Sequence, residues 1–238
     1  MENEIVLKPE IIGQIGSLPL TNTLLVTWIT MGFLVILSFL ATRRIQKVPS
    51  GIQNFFEMVV ELGFQTVEDL AHSKTAVIFP IVMTFFLLIV MGNLLGLLPG
   101  FSTISFNGAP LLRSMNSDLN TTLALALVSA AATHILAVKY LGIKNYLIRW
   151  VSLNPIFLFV GMLEIVSEFT KIMSLSFRLF GNIFAGEVVL ATISNIAAFL
   201  LPLPFYFLEI IVGFVQAAVF MMLTLVFMVL LSEKHESH

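Results

Sequence analysis

Five charged side chains, Glu164, Glu168, Lys171, Arg178 and Glu187, fall within one apolar tract from Pro155 to Leu201. Each charge at the centre of a membrane-spanning helix costs ~2.5–3.5 kcal/mol on the insertion scale, and such groups normally face a protein interior or a water-filled path. Their spacing is ordered. Glu168, Lys171, Arg178 and Asn182 stand 4, 7, 14 and 18 residues beyond Glu164, which keeps all five residues within about 40° of one line on a helix. Glu187 lies nine residues beyond Arg178, on the opposite face and ~13 Å further along. In the next apolar run Glu209 and Gln216 are seven residues apart and share a face. If the tract runs from inside to outside and the next run returns, Glu187 and Glu209 lie outward of Arg178. Glu164, Glu168 and Lys171 then lie inward of it. Carboxylates displaced to both sides of a fixed positive charge suit two offset aqueous paths to the middle of a membrane.

Other chemistry is open to the same residues. Glu164, Glu168 and Lys171 could form a headgroup-level cluster, since pairs three and four apart on a helix interact routinely. Arg178 could be a structural partner of Glu187 or Glu209. Glu187 and Glu209 could line a solvated interface, and Gln216 could hold two helices together. His134 fits a hydrogen-bonded packing residue better than a relay, and Asn93 fits either role equally. A secondary transporter would show internal repeats, and no strong repeat is visible. An intramembrane hydrolase would need a nucleophile with its base, or metal ligands. The chain has no cysteine, no HExxH and no GxSxG, and His134 has no acidic residue three or four positions away. No metal or other cofactor is expected.

These residues need helices to hold them. Of 238 residues 58% are hydrophobic and only 11% charged, against roughly 25% charged in an average soluble domain. Mean hydropathy is +1.00. A soluble domain could not hide this much apolar surface. The continuous runs exclude the alternating strands of a membrane β-barrel. The expected class is an all-α polytopic membrane protein forming a single membrane domain. Apolar spans are predicted at about 23–42, 75–98 and 120–141, each near the ~20 residues a bilayer requires. The tract 155–201 and the run 205–231 make two more. As one helix the tract would be ~70 Å long, so it is either steeply tilted or divided in two. Residues 52–71 differ: Phe55, Phe56, Val59, Val60, Gly63 and Val67 recur at helical spacing, with Glu57, Glu61 and Glu68 elsewhere around the helix. This pattern predicts an amphipathic helix on the membrane surface. Residues 101–119, rich in Ser, Asn and Gly, read as a loop.

Basic residues set the expected orientation. Arg43, Arg44, Lys47, Lys74, Lys139, Lys144, Arg149 and Lys234 fall on one side if the N-terminal segment 1–22 is outside, and only Lys8 and Arg113 fall on the other. The C-terminus is then cytoplasmic, provided that the charged tract crosses once. The acidic start, MENEIVLKPE, does not read as a cleavable signal peptide. The net charge of -2 gives no reason to expect nucleic acid as a partner.

The run from Arg178 to Glu187, RLFGNIFAGE, closely resembles the signature of subunit a of the rotary F-type ATP synthases. Further similar strings are ATRRIQKVPSGIQNFFE, GNLLGLLPG, SDLNTT and VQAAVFMMLTLVF, so the resemblance covers nearly the whole chain. It implies that Arg178 is the stator arginine facing a rotor carboxylate. Asn182 and Glu187 match polar channel positions, and Gln216 matches a glutamine packed beside the arginine. Glu209 falls where some members carry histidine, and Gly96 where some carry an acid. Ser174, Lys171 and Glu164 align with polar positions before the arginine, whereas Glu168 has no place in the shared motif. The resemblance also implies one long tilted helix for the tract, paired with the last span against a ring of c subunits. The other implied partners are the b-subunit peripheral stalk, the rest of the synthase, membrane lipid and transported protons. No catalytic site for ATP is then expected on this chain. A bacterial plasma membrane suits it better than a thylakoid. The orientation has a direct test, because the chain is free of cysteine. A membrane-impermeant thiol reagent should fail to label Ser50→Cys in intact cells and should label it in inverted vesicles. Labelling in intact cells would overturn the orientation.

Overall fold

The computed structural model describes residues 9–16, 18–43, 45, 51–98, 105–106, 109–150, 155–196 and 200–233. Arg44, Lys47, Pro49, Ser50, Pro99, Gly100, Lys8 and Lys234, and with them parts of the predicted N-terminal segment, outer loop and C-terminal tail, lie outside these residues. Among the described residues, five helices are long and apolar enough to cross a membrane. They are α1 (Asn22–Thr42), α3 (Thr75–Gly96), α4 (Leu119–Leu141), α6 (Pro155–Ile196) and α7 (Leu203–Ser232). Before α3 comes α2 (Ile52–Ala71), joined to it by a 3-10 turn at His72–Lys74, and between α4 and α6 comes the short α5 (Ile143–Trp150). The charged tract is therefore one continuous helix, and the alternative of two segments is set aside. At 42 residues α6 is about 63 Å long. It cannot stand upright within a ~30 Å hydrocarbon core without protruding.

Local chemistry explains where the helices start. The Thr21 hydroxyl accepts from Leu24 N at 3.3 Å and caps α1. Asp118 accepts from Asn120 N at 2.9 Å and caps α4, each satisfying a donor that the first helical turn leaves free. Pro202 and Pro204 stand at the start of α7, where a missing N–H costs nothing. The C-terminal half of α2 packs back on α3. Val67 is fully buried, Phe64 meets Phe79 edge-on, and Gly63 lies against Met83. Phe55 and Val60, on the same apolar stripe of α2, remain exposed.

The core lies among α3, α4, α6 and α7. Ile78, Val82 and Ile89 of α3, Leu179 of α6, and Phe220, Leu225 and Met228 of α7 are fully buried. Polar contacts fix the ends. Lys74, at the start of α3, donates to the Ser232 carbonyl at the end of α7 at 3.0 Å and sits over the Tyr140 ring near the end of α4. At the opposite end, Thr23 of α1 donates to Asp118 at 2.9 Å. Consecutive spanning helices therefore alternate in direction.

The segment expected to be a plain polar loop is more structured than that. Within it β3 (Ser105–Phe106) pairs antiparallel with β4 (Ala109–Pro110), as β1 (Ile11–Ile15) does with β2 (Leu18–Thr21) ahead of α1. Residues Ser114 to Asp118, which include a 3-10 turn at Met115–Ser117, are buried. Gly92 and Gly96 of α3 make room for them. A Cβ at Gly92 would come within 2.5 Å of Met115 Sδ, and one at Gly96 within 2.6 Å of Ser114 Cβ. Asn116 Nδ2 donates to Asn93 Oδ1 at 2.7 Å, and Asn93 Nδ2 donates to the Gly213 carbonyl at 2.9 Å. Asn93 is thus a latch joining the loop, α3 and α7. Asn93→Ala strands the Asn116 amide in a buried place and should cost about 1–2 kcal/mol. Thermal unfolding of the solubilised protein should show a lowered midpoint, and Asn93→Ala/Asn116→Ala should cost less than the two single losses added together. Full additivity would contradict the latch.

Candidate functional site: the α6–α7 helix pair

Helices α6 and α7 run antiparallel, and the polar residues of α6 meet α7 at successive levels. Towards the Lys74–Ser232 end, Lys171 Nζ lies 4.9 Å from the centre of the Phe227 ring. Further along, Asn182 Nδ2 donates to Gln216 Oε1 at 2.7 Å. Further still, Gly186 meets Glu209 so closely that any Cβ there would collide with the Glu209 carboxylate. The glycine at this crossing lets a charged side chain from α7 lie against the α6 backbone.

Arg178 stands between the first two levels. It is exposed on the outside of the pair, and its Nη2 donates to Ser174 Oγ at 3.3 Å, one helical turn back. Among the described residues, no carboxylate comes within 4.0 Å of its guanidinium. The reading of Arg178 as the ion-pair partner of Glu187 or Glu209 therefore fails in this chain. Glu187 instead approaches Arg113, whose Nε is 4.0 Å from Glu187 Oε2 and donates to Ser117 Oγ at 3.1 Å. The opposite-face placement expected for Glu187 is what carries it away from Arg178 and towards the buried loop. Gln216 is almost fully buried, and among the described residues its Nε2 has no hydrogen-bond partner.

On the other side of Arg178 a cavity of ≈ 320 Å³ is lined by Ser167, Thr170, Lys171, Ser174, Leu175 and Arg178 of α6 and by Leu223 and Phe227 of α7. It brings Lys171, Ser174 and Arg178 together. Glu168 turns elsewhere. Its Oε1 accepts from Lys171 Nζ at 2.6 Å, and its Oε2 is 3.9 Å from His134 Nε2 on α4. The other ring nitrogen of His134 is 3.0 Å from the Tyr146 hydroxyl of α5. Glu164 is half-buried and is not among the residues lining the cavity.

Two partners escaped sequence reasoning. Arg113 carried only a topological signal, as a lone basic residue in an outer loop. Its approach to Glu187 spans 74 positions of sequence. His134 has no acid three or four positions away on its own helix, and the acid it approaches, Glu168, sits on α6. Only the His134 identity within an apolar span could have flagged it.

The fold and these charged levels define an integral membrane protein, built of long apolar helices, with a series of polar and charged groups along one antiparallel helix pair. The ATP synthase A chain family matches residues 24–229, most of the molecule. A relative named ATP synthase subunit a from Citrifermentans bemidjiense is 39% identical over 208 residues, covering 84% of this chain and 83% of its own. The protein of the same name from Geobacter sulfurreducens is 34% identical over 225 residues, covering 93% and 90%. One named ATP synthase subunit a 3, from Pelobacter propionicus, is 36% identical over 204 residues, covering 84% and 83%. The chain belongs to the ATP synthase A chain family.

Proposed function

We propose that this chain is the stator ion-path subunit of a proton-driven F-type ATP synthase, carrying protons to and from carboxylic acids on a rotating ring of c subunits. One observation carries the reading. Arg178 presents a guanidinium outward from an apolar helix with no carboxylate of the described chain within 4.0 Å. Facing lipid, such a group would be costly. Facing a rotor carboxylate, it has the partner that its own chain does not supply.

The surrounding residues fit that role. A proton from outside reaches the rotor acid by way of Glu187 and Glu209, with Asn182 and Gln216 between them and Arg178. The neutral acid can then face lipid cheaply, which a carboxylate cannot. After nearly a full turn it reaches the inner cavity lined by Lys171 and Ser174, with Glu164 and Glu168 nearer the inner end. There the proton leaves, because a guanidinium close by favours the carboxylate. Arg178 also repels protons that would otherwise pass directly between the two paths. Arginine suits the task because it stays protonated when desolvated, whereas lysine readily loses its proton. The membrane potential supplies ~2.3 kcal/mol per charge per 100 mV. The chemistry of ATP is left to other subunits. The b-subunit stalk holds this chain against the torque, and the membrane is the inner membrane of a bacterium with the N-terminus outside.

The test is the whole complex in proteoliposomes, followed with a pH dye under an imposed potential. Arg178→Ala should assemble, abolish ATP synthesis and ATP-driven acidification, and permit a passive proton leak. Arg178→Lys should rescue poorly, since the ammonium lacks the planar fork and can be neutralised. Normal ATP-driven acidification by Arg178→Ala would overturn the stator role.

A further inference from the structure

Glu187 has a partner on a segment that helix patterns alone leave without a role. Arg113 belongs to the stretch between β4 and α4, and connections of this kind ordinarily run over the surface and vary in conformation. Here the following residues are buried and fastened to the spans. Met115 fills the space left by Gly92, Asn116 is bonded to Asn93, and Asp118 is bonded to Thr23. The Arg113 side chain is itself mostly covered, at 13% exposure, against 30% for Glu187. Its Nε donates to Ser117 Oγ at 3.1 Å, within the same fastened turn. The guanidinium therefore reaches α6 from a fixed base.

We propose that Arg113 is a positioning residue of the outer proton path, holding the Glu187 carboxylate in place through the Arg113–Glu187 approach. This rests on the reading of Glu187 as a path residue. Among the described residues, the charged groups facing Glu187 are Arg113 from the loop and Glu209 from α7. These two oppose each other. A guanidinium favours the carboxylate form of a neighbour, and a second carboxylate disfavours it. Glu209 lies against Gly186, the residue before Glu187, so the guanidinium and the second carboxylate both act on Glu187. A relay needs an acceptor that is ionised when a proton arrives from the outer water.

The measurement is proton-driven ATP synthesis by the complete complex in proteoliposomes, with the pH on the Glu187 side and on the Lys171 side varied separately. Arg113→Gln and Arg113→Met should both move the profile against Glu187-side pH by about one unit towards alkaline values, the size of shift a single opposite charge produces. The profile against Lys171-side pH should stay in place. Arg113→Lys, which keeps the charge, should retain most of the original profile. In a Glu187→Gln background Arg113→Gln should add no further shift. A purely structural role would lower the yield of complex without moving one profile selectively. An unmoved Glu187-side profile in either neutral variant overturns the proposal, and so does failure of both to assemble. If Glu187→Gln is impaired while Arg113→Gln behaves as wild type, the path reading stands and the role of Arg113 falls. A fully active Glu187→Gln sinks the path reading and this proposal with it.

Discussion

A permanent positive charge on an apolar helix constrains everything around it. Arg178 cannot be neutralised by giving up its proton, and a bilayer does not solvate it. In this chain its only close side-chain partner among the described residues is a serine hydroxyl on its own helix. The acids that could have satisfied it are held away. Glu209 lies against the α6 backbone at Gly186, Glu187 turns to Arg113, and Glu168 turns to Lys171 and His134. A charge in an apolar setting is expensive unless it is paired, and among the described residues Arg178 has no acid within 4.0 Å. That is the physical basis for reading Arg178 as one half of an interaction between subunits.

The scaffold that keeps these groups apart relies on close backbone approach and on polar contacts in the apolar interior. Gly92 and Gly96 admit the buried turn, and Gly213 passes close enough to Asn93 to receive its hydrogen bond. Ser129 of α4 and Thr224 of α7 meet at 2.8 Å, and Thr122 of α4 meets Ser176 of α6 at 3.1 Å. Without a hydrophobic drive between helices in lipid, small residues and hydrogen bonds of this kind supply much of the specificity of packing. Phe85 and Phe220, with ring centres 5.5 Å apart, fill the space between.

The class of fold was legible in the sequence because length and apolarity alone identify spanning helices. The five apolar helices and the amphipathic Ile52–Ala71 helix follow from that pattern. Whether the charged tract was one helix or two was not legible from composition, since charged residues interrupt the hydropathy without breaking the backbone. The RLFGN string carries the resemblance to the family that the family match and the relatives bear out, and it is the string that holds Arg178. Pattern reasoning also placed Asn182 on the stripe with Arg178 and put Glu187 on the far face. It could not see contacts between helices. The Arg113–Glu187 and His134–Glu168 approaches join residues far apart in the chain, and helical periodicity reports only on neighbours along one helix. The buried turn at Met115–Ser117 was missed for the same reason. Its polar letters signal a loop, and the glycines and hydrogen-bond partners that accommodate its burial lie on other elements.

The most direct measurement is a high-resolution density map of the complete complex in lipid, in which ordered water and the side chains at the rotor face are resolved. A rotor carboxylate should stand opposite Arg178. Water should reach Glu187 and Glu209 from one side of the membrane and the Lys171–Ser174 cavity from the other, with no continuous file past the guanidinium. An unbroken water column across Arg178, or Arg178 joined to Glu187 or Glu209 of its own chain, would contradict the account.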